Sequence, residues 1–96
     1  MSAILGTYAR RPVSFSHGKG CYLYSTQNEK FLDFVSGIAV NSLGHCHVHL
    51  VETIKKQSEK LWHVSNAFEI PEQERLAQRL VDHTFADHVI FMNSGA

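Results

Sequence analysis

The sequence predicts an α/β fold, and three observations carry that prediction. The front third is a series of short, aromatic-rich runs divided by turn residues. The middle holds two stretches in which apolar residues recur at helical spacing. Residues 88–92 are almost wholly apolar and run into a small polar turn, Asn93-Ser94-Gly95-Ala96. Short alternating runs bounded by Gly, Asn and Ser read as antiparallel strands, and an apolar period near 3.6 residues reads as an amphipathic helix. A nearly continuous apolar run suits a strand covered on both faces, as in a parallel sheet.

Taken in order, strands are expected at 13–16, 21–25 and 30–34, with turns at 17–20 and 26–29, giving a small antiparallel meander. Gly18-Lys19-Gly20 lacks the third glycine and the following helix of a nucleotide loop, so it is read as a hairpin turn. Residues 36–49 are the least regular stretch, and Gly44 frees the backbone there for a sharp turn. A helix is expected over 48–62, with Val51, Ile54, Ser58 and Leu61 on one face and Glu52, Lys55, Lys56 and Glu59 on the other. Residues 63–66 break it. A second helix opens at Pro71, with Glu72 and Glu74 at its positive end and Leu76, Ala77, Leu80 and Val81 as its apolar stripe, and closes near His83. A lone parallel strand at 88–92 has no crossover partner in the sequence, which leads to the expectation of an amino-terminal piece of a larger protein.

Composition narrows the function classes. At 96 residues, 44% hydrophobic and 19% charged, the chain is ordinary globular material of one small domain at most. Nine basic residues balance nine acidic ones, so no net field favours nucleic acid or an anionic membrane. No apolar run reaches the roughly 18 residues of a membrane span. Cys21 and Cys46 are too few for a disulfide scaffold and fit a reducing, cytoplasmic compartment. The first 28 residues carry no Asp or Glu and include Arg10 and Arg11, which loosely suggests a leader. Pro12 and the strand-like alternation after it argue against one.

Several residues invite chemistry. His45, Cys46, His47 and His49 crowd together, and His45 with His49 could share a helix face around a metal. Adjacent residues point apart, however, and no second ligand cluster follows, so local hydrogen bonding is the better reading and no metal is expected. Cys46 has histidines nearby but no sign of an oxyanion hole. The carboxylates form no acid–base pair: Glu72 and Glu74 answer the helix dipole, and Asp33 marks a strand end. Trp62 and Phe68 read as core anchors or interface residues. The turn at 93–96 has two readings. It is half of a phosphate cradle, with a hydroxyl, backbone N–H groups and a glycine that lets oxygens approach, or it is a plain loop after a strand.

Six strings in order carry a resemblance. They are Phe31-Leu32-Asp33-Phe34 with Ser36-Gly37-Ile38-Ala39-Val40-Asn41, then Leu43-Gly44-His45-Cys46-His47, then His63-Val64-Ser65-Asn66, then the helix from Gln73 to Leu80, and Phe91-Met92-Asn93-Ser94-Gly95-Ala96. Together the chain resembles the opening of the acetylornithine/ornithine aminotransferases, class III enzymes dependent on pyridoxal phosphate. The resemblance implies an amino-terminal fragment of the fold-type-I architecture: residues 1–47 belong to a small domain containing the meander, and 48–96 supply helices and the first strand of a large, mainly parallel domain. It implies that Ser94, Gly95 and Ala96 bind the cofactor phosphate, that Ile38, Val40 and Asn41 lie near the substrate, and that His63, Ser65 and Asn66 lie at a homodimer interface. The implied reaction moves an amino group between N-acetylornithine and 2-oxoglutarate, in arginine biosynthesis. Other donors used in the class, such as ornithine, 4-aminobutyrate or succinylornithine, remain open, as does a small histidine-rich metal- or partner-binding module. In the family, the lysine that holds the cofactor lies further on, and none of Lys19, Lys30, Lys55, Lys56 and Lys60 has matching surroundings. Two local departures stand out: Val48 replaces a usual proline, and Asn28-Glu29 replaces a glycine-containing turn.

Overall fold

The meander forms as its turn residues predict, with its boundaries moved by the register. A computed structural model describes residues 3–95. Strands β1 (Phe15–Lys19), β2 (Tyr22–Ser25) and β3 (Lys30–Leu32) pair antiparallel in the order β1-β2-β3. Lys19 pairs with Tyr22, so the hairpin turn holds only Gly20 and Cys21. Gly20 takes φ +56 at the first central position, which a side chain would resist. This tight turn draws residues 17–19, expected in the loop, into β1, and the strand starts at Phe15 instead of 13.

The second turn hangs on Ser25, the one fully buried side chain among the described residues. Its hydroxyl oxygen accepts the N–H groups of Gln27 at 3.2 Å and Glu29 at 3.1 Å. Asn28 takes φ 64, the left-handed conformation that asparagine tolerates and that glycine would otherwise supply. Aromatic rings brace both sheet faces: Phe15 meets Phe31 edge-on at 5.5 Å, while His17 stacks on Tyr24 at 4.5 Å. Strand β3 stops at Leu32, short of the expected 34, because the Asp33 carboxylate takes over the N–H groups of Val35 and Ser36.

After a single turn, α1 (Ser36–Ala39), comes α2 (Val48–Ser58). It begins at Val48 and ends four residues before the expected 62. The Ser58 hydroxyl donates to the Lys55 carbonyl at 2.8 Å, and the Glu59 N–H turns back to Gln57, closing the helix early. The structure divides into two compact units, Met1–Glu59 and Lys60–Ala96.

In the second unit, α3 (Pro71–His83) keeps the boundaries read from its proline, its acidic first turn and its terminal histidine. The Thr84 hydroxyl donates to the Leu80 carbonyl at 2.8 Å and fastens the last turn. Residues 88–92 make no strand among the described residues. They do alternate as a strand would: Val89 and Phe91 are half-buried and share a hollow with Ile70 and Ala77, while Ile90 and Met92 are 82% and 62% exposed. The coverage on both faces expected from the sequence is absent here, because a strand exists only through a hydrogen-bonded neighbour and no described residue supplies one.

No hydrophobic side chain is buried among the described residues. Within its own unit, neither α2 nor α3 packs on another helix or strand among the described residues. Trp62 and Phe68, expected as core anchors or interface residues, are 87% and 68% exposed, so neither is core within this chain.

Candidate functional site

Two neighbourhoods hold the residues singled out from the sequence, one in each unit. The first is built around α1. Ser36, Gly37, Ile38 and Ala39 have φ of 53, 64, 63 and 60, while the flanking Val35 and Val40 return to −83 and −85. This is one turn of left-handed helix. Left-handed backbone costs roughly 1–2 kcal/mol for each non-glycine residue, and a β-branched residue such as Ile38 suits it least. Sequence patterning cannot announce such a turn, because only Gly37 advertises it.

Hydrogen bonds hold the turn closed. The N–H groups of Ile38 and Ala39 donate to the Val35 carbonyl at 2.8 and 3.2 Å, and those of Val40 and Asn41 to the Ser36 carbonyl at 2.9 and 3.0 Å. The Ser36 hydroxyl donates to the Asn41 carbonyl at 3.0 Å. At the entrance, Asp33 Oδ1 accepts the N–H groups of Val35 and Ser36, both at 2.9 Å. Its other oxygen, Oδ2, lies 2.7 Å from His45 Nε2, with the two side chains only 6% and 17% exposed. The Ser36 N–H, then the His45 ring, hold the Asp33 carboxyl below the usual carboxylate range against the opposing effect of burial, and the Val35 N–H adds a lesser lowering.

His45 is pinned to the hairpin in turn. Its N–H and carbonyl pair with the carbonyl and N–H of Gly20 at 2.8 and 3.0 Å. Its ring lies so close over Gly18 that a Cβ there would stand 2.7 Å from His45 Cγ. Gly44, at φ +80, brings the chain in so closely that a Cβ would meet the Gly20 carbonyl oxygen at 2.9 Å. The sharp turn expected at Gly44 is present. His45 and His49 do not share a helix face, since α2 starts only at Val48 and His45 is engaged by Asp33. Among the described residues no three His, Cys, Asp or Glu side chains gather as a metal site.

Of the residues expected near substrate, Ile38 sits on the strained turn and Val40 and Asn41 directly follow it, with Ile38 86% and Val40 74% exposed and Asn41 half-buried. They offer apolar walls and no acid or base, so they can shape a pocket without doing proton chemistry. Asp33 reads from sequence only as a strand end, and His45 as one of a run of locally hydrogen-bonded histidines. The available signal was Asp33 two and three positions before N–H groups it could cap; nothing in the sequence paired it with the histidine twelve residues on.

The second neighbourhood lies in the other unit. His63 and Asn66 line a hollow with Ile70, Leu76, Phe91 and Asn93. Ser65 shapes the chain there, its hydroxyl accepting the Ala67 N–H at 3.1 Å and its carbonyl the Phe68 N–H at 3.0 Å. Asn93, Ser94 and Gly95 form an exposed bend, and a Cβ at Gly95 would meet nothing within 4 Å. Ala96, the last member of the expected cradle, lies outside the described residues. An amide, a hydroxyl, successive backbone N–H groups and no carboxylate within the bend make a donor set that fits a phosphate ester. All five lysines are exposed, with Lys55 paired to Glu52 and Lys30 over the Tyr22 ring.

Comparison with known proteins supports the resemblance. The acetylornithine aminotransferase of Mesorhizobium japonicum is 60% identical over 95 residues, covering 99% of this chain and 24% of that protein. Among solved structures, an N-acetylornithine aminotransferase from Stenotrophomonas maltophilia matches 78% of this chain and 21% of its own, at 39% identity and a TM-score of 0.72. An ornithine aminotransferase from Toxoplasma gondii matches 97% of this chain and 22% of its own, at 28% identity and a TM-score of 0.90. The chain therefore spans about a quarter of the length of the curated relatives it matches. With the "Aminotransferase class-III" family matching residues 6–96, a range that holds both the left-handed turn and the Ser94-Gly95 bend, the chain belongs to the class III aminotransferases.

Proposed function

We propose that this chain serves in a pyridoxal-phosphate enzyme that moves an amino group from N-acetylornithine to 2-oxoglutarate, a step of arginine biosynthesis in the cytoplasm. The observation that carries the reading is sequence identity of 60% to an acetylornithine aminotransferase over nearly the whole chain, including both neighbourhoods described above. Residues 1–47 would belong to the small domain and 48–96 to the large one. No helix among the described residues is long and apolar enough to cross a membrane.

Ser94 Oγ and the N–H groups of Ser94, Gly95 and Ala96 would hold the cofactor phosphate, with the missing Gly95 side chain giving its oxygens room. Bound there, pyridoxal phosphate supplies an electron-withdrawing ring that stabilises charge developing at the donor carbon. Ile38 and Val40 would line the donor's path with Asn41 behind them, and His63, Ser65 and Asn66 would face the second subunit of a homodimer. The test is cofactor titration of a full-length protein carrying this chain. Losing one hydrogen bond to a charged group costs about 1.5–3 kcal/mol, so Ser94→Ala should weaken cofactor binding roughly 10–100-fold. Unchanged affinity would remove Ser94 from the cradle. Ornithine itself is the second donor to assay, because the ornithine aminotransferase from Toxoplasma gondii shares this fold closely.

A further inference from the structure

We propose that Asp33 and His45 are a positioning pair that selects the amino donor, holding the left-handed turn Ser36–Ala39 fixed against the hairpin so that Ile38 and Val40 form a rigid apolar wall. The inference rests on the amino-transfer reading above and deepens it at the same site.

Three observations carry it. First, the turn does not sustain itself: four consecutive residues at positive φ, one of them isoleucine, persist only where the surroundings over-determine them. Second, the restraint is a continuous chain of short contacts. The hairpin holds His45 through its backbone pair with Gly20 and its ring over Gly18. His45 Nε2 holds Asp33 Oδ2 at 2.7 Å, and Asp33 Oδ1 holds both N–H groups at the start of the turn. Both side chains of the pair are largely withdrawn from solvent, where such contacts are least weakened by water. Third, Ile38 lies within the clamped turn and Val40 directly follows it, its N–H donating to the Ser36 carbonyl at 2.9 Å, so loosening the turn moves both side chains that the reading above puts on the donor's path.

The test uses a full-length enzyme carrying this chain, assayed with N-acetylornithine and with unacylated ornithine, and read as the ratio of their kcat/KM values. Displacing a wall by about an ångström can cost on the order of 100-fold, so Asp33→Ala and His45→Ala should each shift the ratio by about tenfold or more, chiefly through KM. Asp33→Asn should keep the ratio within about twofold, because its amide oxygen still accepts both N–H groups and its NH2 can donate to His45 Nε2 once the ring carries its proton on Nδ1. Ser25→Ala, in the neighbouring turn, should lower the melting temperature and leave the ratio alone. A ratio unmoved by Asp33→Ala, or moved equally by Asp33→Asn, overturns the proposal. Hydrogen exchange of the Ile38, Val40 and Asn41 amides supplies a readout independent of activity: it should quicken in Asp33→Ala and not in Asp33→Asn. Should the unaltered protein transfer no amino group, the functional reading fails by itself, and unchanged exchange in Asp33→Ala then separately overturns the positioning role.

Discussion

At residue scale, two glycines and one carboxylate decide how the first unit is put together. Gly18 leaves room for the His45 ring, and a methyl group there would stand 2.7 Å from Cγ. Gly18→Ala should therefore push His45 off Asp33 and destabilise the full-length protein by about 1–3 kcal/mol in urea unfolding, as overpacking does. Gly44→Ala should cost more, since its Cβ meets the Gly20 backbone and its φ of +80 excludes an easy fit. Asp33 adds a pH signature. Its folded carboxyl titrates below the ordinary value, because the Ser36 N–H and the His45 ring favour its charged form. The stability it contributes is thus present above the ordinary carboxylate range and lost as pH falls through its lowered folded value. Melting temperature against pH should show an acid decline that is shallower in Asp33→Asn; parallel curves would remove Asp33 from the acid response.

At the scale of elements, boundaries follow the local hydrogen bonds more closely than the apolar pattern. Helix α3 matches its reading because every signal is local: proline at the start, acids in the first turn, and a histidine with a threonine at the close. Thr84→Val should remove the bond to the Leu80 carbonyl and fray the last turn, costing about 0.5–1.5 kcal/mol, visible as faster amide exchange confined to that turn. Helix α2 extends beyond its true end in the apolar pattern, because Leu61 keeps the period while Ser58 already diverts the backbone. Helix α1 was legible only as irregular sequence. A left-handed turn is specified by Asp33, His45 and the hairpin, which are distributed over three separate segments.

For the molecule as a whole, the decisive fact is that none of the described apolar side chains is fully buried. Ile54, Trp62, Phe85 and Ile90 are all at least 67% exposed, and each would contribute about 1.5–3 kcal/mol if buried. Without that burial, the conformational entropy of ordering the chain goes largely unopposed. The isolated 96-residue chain should accordingly melt without a cooperative transition and bind an apolar dye such as ANS. A sharp two-state melt of the chain alone would contradict this. The same bareness accounts for residues 88–92: side-chain alternation is present, with Val89 and Phe91 toward the α3 hollow, while the ladder that makes a strand requires neighbours.

The sequence by itself determined what depends on near neighbours: the α/β class, the meander with its glycine and asparagine turns, the limits of α3, and the family, whose strings are contiguous. It also pointed to Ile38, Val40 and Asn41 as a group. Only the tertiary structure decided that Ile38 rides on a left-handed turn with Val40 and Asn41 directly after it, that Asp33 is a clamp with more to do than end a strand, and that His45 answers to Asp33 instead of to His49. The physical reason is range. Turn chemistry and helix ends are written within a few residues, whereas a backbone conformation that opposes its own side chains is stable only when contacts from distant segments converge on it.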